Sequence, residues 1–132
     1  MSTDVSTTIL IAEDYADNRE LLRVLLSSAK YVVHETCNGQ ECFEIAQQLK
    51  PDLIMVDLSM PVLDGWELFA KLRSDAATAA IPCIAVTAHG ESDRERALAA
   101  GFDGYLAKPF RSSDLFDLVK SLVSSTTAIK RS

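Results

Sequence analysis

Acidic, hydroxyl and amine side chains stand at the ends of separate apolar runs in this sequence, where they could act together in one reaction. They are Glu13, Asp14, Asp57, Thr87 and Lys108. Asp57 closes the apolar run Leu53–Val56. A carboxylate at the end of a buried run is costly unless something pairs with it. We therefore expect the function to be organised around Asp57 and its partners.

The apolar pattern predicts five strands that alternate with five helices. Continuous apolar runs indicate strands buried on both faces, and leucines spaced four apart indicate amphipathic helices. The predicted strands β1–β5 cover residues 8–12, 31–36, 53–57, 81–86 and 103–107, and the predicted helices α1–α5 cover residues 16–28, 40–49, 64–73, 91–100 and 113–123. This alternation predicts an α/β fold, a five-stranded parallel sheet with helices on both faces.

In such a sheet the carboxyl ends of all strands lie along one edge, and ligands bind in the crevice beyond it. The side chains at the strand ends should therefore converge there. Clustered carboxylates repel one another and call for a cation, and oxygen ligands favour Mg²⁺. If Asp14 and Asp57 hold the metal while Lys108 and Thr87 meet phosphoryl oxygens, Asp57 can act as the nucleophile and form an aspartyl phosphate.

Composition restricts the alternatives. The chain has 132 residues, is 48% hydrophobic and carries a net charge of -6, which favours one domain and argues against bulk nucleic-acid binding or a basic membrane patch. The sequence has no apolar run long enough for a membrane span and no signal-peptide pattern at its start. Cys37, Cys42 and Cys83 form no CxxC pair and are expected to be buried, as suits a reducing, cytoplasmic location. We expect a domain over residues 7–123, between flexible residues 1–6 and a flexible polar tail, 124–132.

Several motifs, in order and at consistent spacing, resemble those of the receiver domains of two-component response regulators, including chemotaxis receivers. They are Ile9–Asp14 (ILIAED), Asp57–Pro61 (DLSMP), Asp64-Gly65, Ala85–Ala88 (AVTA), Ala99–Gly101 (AAG) and Tyr105–Phe110 (YLAKPF). The resemblance covers about residues 7–123. It implies a flavodoxin-like, doubly wound (βα)5 fold with strand order 2-1-3-4-5.

The resemblance also implies a role in a phosphorelay. Asp57 would be the phosphoacceptor, taking a phosphoryl group from a histidine kinase or a histidine phosphotransfer protein. Mg²⁺, with Mn²⁺ as an alternative, would be bound by Asp14, Asp57, the backbone carbonyl of Ser59 and, through water, Glu13. The chain would then be a signalling switch that catalyses only its own phosphorylation and dephosphorylation.

Other residues receive roles from the same resemblance. The phosphoryl group would be bound by Thr87, Ala88, Lys108 and Ser59. Thr87 and Tyr105 would reorient together and remodel the α4-β5-α5 face, where a downstream protein docks. The Lys108-Pro109 peptide bond would be cis, and Ser59 and His89 would tune how fast the phosphoryl group is gained and lost. The chain would be a monomer or a phosphorylation-dependent dimer, without direct contact to nucleic acid or membrane.

Three other functions compete with this interpretation. A phosphatase-like enzyme with an aspartyl nucleophile would resemble Asp-x-Asp, but Asp57-Leu58-Ser59 lacks the second acid. A flavin site would need a phosphate-cradling loop after β1, where Glu13 and Asp14 would repel the phosphate. A phosphorylation-independent interaction module would have no need of the full set of reactive residues. The charged stretch 91–96 is expected to be a solvated helix face, with a surface for a partner as the alternative.

Overall fold

The computed structural model describes residues 7–60 and 62–131, and for residue 90 and residues 124–131 it describes the backbone alone. Residues 1–6, predicted to be flexible, lie outside the described part, as do Pro61 of the DLSMP motif and Ser132. In the described part no helix is long and apolar enough to cross a membrane.

Five strands alternate with five helices, as the apolar pattern predicts. The strands are β1 (Thr8–Ala12), β2 (Val32–Thr36), β3 (Leu53–Asp57), β4 (Cys83–Thr87) and β5 (Gly104–Ala107). The helices are α1 (Ala16–Ser28), α2 (Gly39–Leu49), α3 (Gly65–Ser74), α4 (Gly90–Ala100) and α5 (Ser112–Arg131). The predicted start of β4 at residue 81 is two positions early, because Pro82 has no N–H to donate to a neighbouring strand.

The strands form one parallel sheet in the order β2-β1-β3-β4-β5, which confirms the predicted fold class and strand order. β3 lies at the centre, and all of its residues are buried. Its last residue, Asp57, is in register with Val86 of β4, and Val56 is in register with Ala12 of β1. The ends of β1, β3 and β4 therefore reach the same edge of the sheet.

Each face of the sheet carries its own apolar core. One core includes Leu10, Ile54 and Ala85 from the strands and packs against α2, α3 and Ala97 of α4. The other includes Ile9, Met55 and Ile84 and packs against α1 and α5. Neighbouring residues along a strand point to opposite faces, so a continuous apolar run serves both cores at once.

Two expectations about individual segments are corrected. Cys42 and Cys83 are buried, but Cys37 is exposed, because it lies in the turn between β2 and α2. Residues 124–131, predicted to be a polar tail, continue α5 to Arg131. That stretch contains neither glycine nor proline, so no residue in it forces the helix to end.

Candidate functional site

Three carboxylates and one lysine meet at the carboxyl edge of the sheet, from the ends of β1, β3 and β5. Glu13, Asp14 and Asp57 each have a carboxylate oxygen within 4.8 Å of the others. Lys108 Nζ lies 2.9 Å from Glu13 Oε1 and 3.7 Å from Asp57 Oδ2. Residues far apart in the sequence are thus brought together by the parallel arrangement of the strands.

Asp57 lies in an environment that disfavours its charge. Its exposure is 5%. Burial first, and then a hydrogen bond with Glu13, raise the pKa of Asp57 to about 7, although the Ser59 N–H and the charge of Lys108 act to lower it. Two buried acids share one nearby cation, so the cluster carries more negative charge than Lys108 neutralises.

A divalent cation therefore suits this cluster. The available metal ligands are carboxylate oxygens, which Mg²⁺ prefers, and they are close enough to reach a single ion. Asp14 is exposed while Glu13 is buried, with an exposure of 1%, so the cluster opens to solvent on the side of Asp14. A bound cation would favour the charged form of Asp57 and so counter the burial that raises its pKa.

Arg19 of α1 holds the loop that carries the two acids after β1. Its guanidinium donates to the backbone carbonyl of Glu13 at 2.9 Å and to that of Asp14 at 3.4 Å. On its other side it pairs with Glu35 of β2 at 3.7 Å. Sequence reasoning missed this residue, and its spacing from the acids, five and six positions along the chain, is the signal that could have pointed to it.

The loop after β3 approaches the acceptor closely. The Ser59 N–H donates to Asp57 Oδ1 at 3.1 Å, and Ser59 itself is exposed. A Cβ atom placed on Gly65, at the start of α3, would lie 2.5 Å from the carbonyl oxygen of Asp57 and 2.6 Å from the Cα of Leu58. Asp64 precedes α3 and caps it, in a capping box closed by Glu67.

Thr87 lies at the end of β4 with an exposure of 1%, and its hydroxyl is bonded on two sides. It donates to Asp93 Oδ2 at 2.8 Å and accepts from the His89 N–H at 3.0 Å. His89 precedes α4, and both His89 and Ala88 are exposed. Asp93 was expected on a solvated helix face, but it is half-buried because it faces Thr87 across the start of α4.

The partly buried Tyr105 of β5 packs against the core that α4 covers. Partial burial, followed by the charges of Asp93 and Glu91, raises the pKa of Tyr105. The charge of Asp93, the acid that accepts the hydrogen bond from Thr87, therefore acts on Tyr105 as well. Arg96 of α4 departs from a simple solvated face as well, because its guanidinium lies 4.0 Å from the ring centre of Trp66 on α3.

The peptide bond between Lys108 and Pro109 is cis, as the resemblance implies. Pro109 and the following Phe110 line a cavity of about 340 Å³ that also includes residues of α1. Asn18 and Leu22 of α1 also line it, as do Glu13 and Lys108.

A doubly wound parallel sheet with buried acids and a lysine at its carboxyl edge defines an α/β protein whose site is suited to a cation and an anionic group. The family model described as the response regulator receiver domain matches residues 9–120, and the chain belongs to that family. The resemblance drawn from the motifs is thereby confirmed.

Known relatives agree with this assignment. The chain is 38% identical over 123 residues to the phosphate regulon transcriptional regulatory protein PhoB of Pseudomonas aeruginosa, a match that covers 92% of this chain and 54% of that protein. The chain thus spans about half the length of this relative. A putative response regulator from Chloroflexus aurantiacus has a similar structure, with a TM-score of 0.86 and 31% identity over 90% of this chain and 98% of that one.

A third comparison concerns the acid cluster. The receiver domain of the sensor histidine kinase PA1611 from Pseudomonas aeruginosa has a TM-score of 0.84 and 31% identity, covering 91% of this chain and 99% of that one. Its crystal structure contains a magnesium ion coordinated in the active site cleft.

Proposed function

We propose that this chain is the phosphoacceptor receiver of a two-component phosphorelay, with Asp57 as the residue that is phosphorylated. The observation that carries the proposal is the meeting of three carboxylates within 4.8 Å with Lys108, whose Nζ lies 3.7 Å from Asp57 Oδ2. A nucleophile, a cation site and a fixed positive charge are the parts that phosphoryl transfer requires.

Asp57 and Lys108 carry the transfer itself. A carboxylate oxygen of Asp57 attacks the phosphorus of a phosphohistidine on a histidine kinase or a phosphotransfer protein. A P–O bond forms and the P–N bond breaks, and the leaving imidazole keeps the electron pair and takes up a proton. Lys108 exchanges part of its contact with Glu13 for a phosphoryl oxygen, while Thr87, Ala88 and Ser59 bind the remaining oxygens.

Mg²⁺, or Mn²⁺ in its place, would be held by Asp14, Asp57, the backbone carbonyl of Ser59 and, through water, Glu13. It would supply charge neutralisation for the phosphoryl oxygens. Arg19 supports these metal ligands without binding the ion, because it fixes the backbone carbonyls of Glu13 and Asp14.

Phosphorylation would be read on the face formed by α4, β5 and α5. Thr87 turns toward the phosphoryl group, Tyr105 moves inward, and the altered face binds a downstream protein. The net charge of -6 favours a protein partner over direct contact with nucleic acid.

Incubation with Mg²⁺ and acetyl phosphate or phosphoramidate tests this function, with intact-mass measurement as the readout. We expect the wild-type chain to gain the mass of one phosphoryl group and Asp57→Asn to gain none. Omitting Mg²⁺ should abolish the gain. An absence of any gain in the wild type would favour an interaction module that works without phosphorylation, and an equal gain in Asp57→Asn would place the acceptor elsewhere.

A further inference from the structure

The hydroxyl of Thr87 is engaged by a residue outside the phosphoryl site. It donates to Asp93 Oδ2 at 2.8 Å, and Asp93 belongs to the first turn of α4. A threonine hydroxyl has a single hydrogen to donate. While that hydrogen is bonded to Asp93, it is not available to an oxygen of a phosphoryl group on Asp57.

The bond to Asp93 has the ordinary length of a hydroxyl hydrogen bond, 2.8 Å, and its acceptor is a carboxylate. Hydrogen bonds to ionised acceptors are stronger than those between neutral groups. Thr87 is almost fully buried, with an exposure of 1%, so water competes weakly for the hydroxyl. The His89 N–H donates to the same oxygen at 3.0 Å, which leaves the hydroxyl hydrogen directed at Asp93.

α4 is well placed to respond when this bond breaks. Among its described side chains, residues 91–100, Ala97 alone is buried. A helix with so few buried apolar contacts depends on polar contacts for its position and moves at a low energetic cost. The bond from Thr87 is one such contact, and the stacking of Arg96 over Trp66, at 4.0 Å, is another.

We propose that Asp93 is a latch for the unphosphorylated state, which holds the Thr87 hydroxyl on α4 until a phosphoryl group on Asp57 takes it over. This inference rests on the proposed function, because it needs Thr87 to bind the phosphoryl group. The exchange of one acceptor for another moves a signal from Asp57 to the start of α4. It also frees the carboxylate of Asp93.

The latch makes phosphorylation compete with the Asp93 bond, so its removal should strengthen the binding of a phosphoryl mimic. We expect Asp93→Ala to bind beryllofluoride, in the presence of Mg²⁺, with a dissociation constant about tenfold lower than the wild type, equivalent to about 1.4 kcal/mol. Asp93→Asn keeps the shape of the side chain and offers Thr87 a weaker acceptor, so its dissociation constant for beryllofluoride should be only about threefold lower than that of the wild type. ¹⁹F NMR of the bound fluorides measures both dissociation constants, and thermal melting shows that each variant is folded.

Glu91→Ala is the matched control. Glu91 lies in the same first turn of α4 and pairs with Arg94 at 3.0 Å, so this variant removes the same charge but not the bond to Thr87. We expect its affinity for beryllofluoride to stay within about twofold of the wild type, as for an exposed ion pair. A tenfold gain in Glu91→Ala as well would attribute the effect to charge and overturn the latch.

A double-mutant comparison isolates the hydrogen bond. In a Thr87→Ala background the latch has nothing to hold, so adding Asp93→Ala should leave the dissociation constant unchanged. A persistent gain there would overturn the proposal, as would wild-type affinity in folded Asp93→Ala and Asp93→Asn. If the wild type neither binds beryllofluoride nor gains a phosphoryl group on Asp57, the proposed function itself is refuted and the latch with it.

Discussion

Replacing Asp57 by Asn should stabilise the metal-free fold near neutral pH. Burial and the hydrogen bond with Glu13 raise the pKa of Asp57 from its ordinary value of 3.8 to about 7. The folded chain therefore holds this proton more strongly than the unfolded chain does. Protonated Asp57 makes its full contribution to the free energy of unfolding below pH 4. That contribution is lost as the pH rises from there through 7.

The expected size follows from the rise in the pKa of Asp57 from 3.8 to about 7. Each unit corresponds to ~1.4 kcal/mol, which sets a ceiling of about 4 kcal/mol on the loss at pH 7.5. Asp57 shares its surroundings with Glu13 and Lys108, which relax in part when it ionises, so we expect the variant to be more stable than the wild type by about 2–4 kcal/mol.

Urea denaturation at pH 5 and pH 7.5, with EDTA present, measures this difference. Asp117→Asn is the control, because Asp117 is exposed on α5 and its replacement removes the same charge. Excess Mg²⁺ should close the gap, since the ion stabilises only the chain that binds it, by about 2.7 kcal/mol at a hundredfold excess over its dissociation constant. Equal pH dependence in wild type and Asp57→Asn, or a less stable variant at pH 7.5 in EDTA, would refute the reasoning.

Three further changes test the surroundings of the acceptor. Gly65→Ala should lower the free energy of unfolding by about 1–3 kcal/mol, measured by urea denaturation, because the new Cβ meets the backbone of Asp57. Arg19→Gln should raise the Mg²⁺ concentration for half-maximal phosphorylation about tenfold, while Arg23→Gln, which loses only its pairing with Glu35 at 3.5 Å, should not; equal effects would contradict a role in metal binding. His89→Ala should change the rate of dephosphorylation without abolishing phosphorylation, and equal phosphoryl lifetimes in a decay assay would contradict that role.

The order of the elements was predictable because the central strands are buried on both faces. Leu53–Val56 is apolar without interruption, as a strand between two helical layers must be. Once β1, β3 and β5 are taken as parallel, Glu13, Asp57 and Lys108 have to reach the same edge of the sheet. The main features of the site thus follow from local pattern and from the direction of the strands.

Other features depend on distances that no local pattern contains. Cys37 and Cys42 both looked suited to a core, yet only Cys42 is buried, because the turn before α2 leaves Cys37 outside. The continuation of α5 to Arg131 is a different case: the polar residues 124–131 predict a tail, but they include no glycine or proline to end the helix.

The sequence by itself determined the alternation of strands and helices, the residue at the end of each strand and the family to which they point. Only the tertiary structure decided that Asp57 is buried next to Glu13, that Arg19 donates hydrogen bonds to the loop carrying the acids and that Thr87 is bonded to Asp93. The physical reason is that strand order and strand ends follow from apolar periodicity along the chain. Hydrogen bonds between remote side chains, by contrast, depend on how each helix is rotated and seated against the sheet.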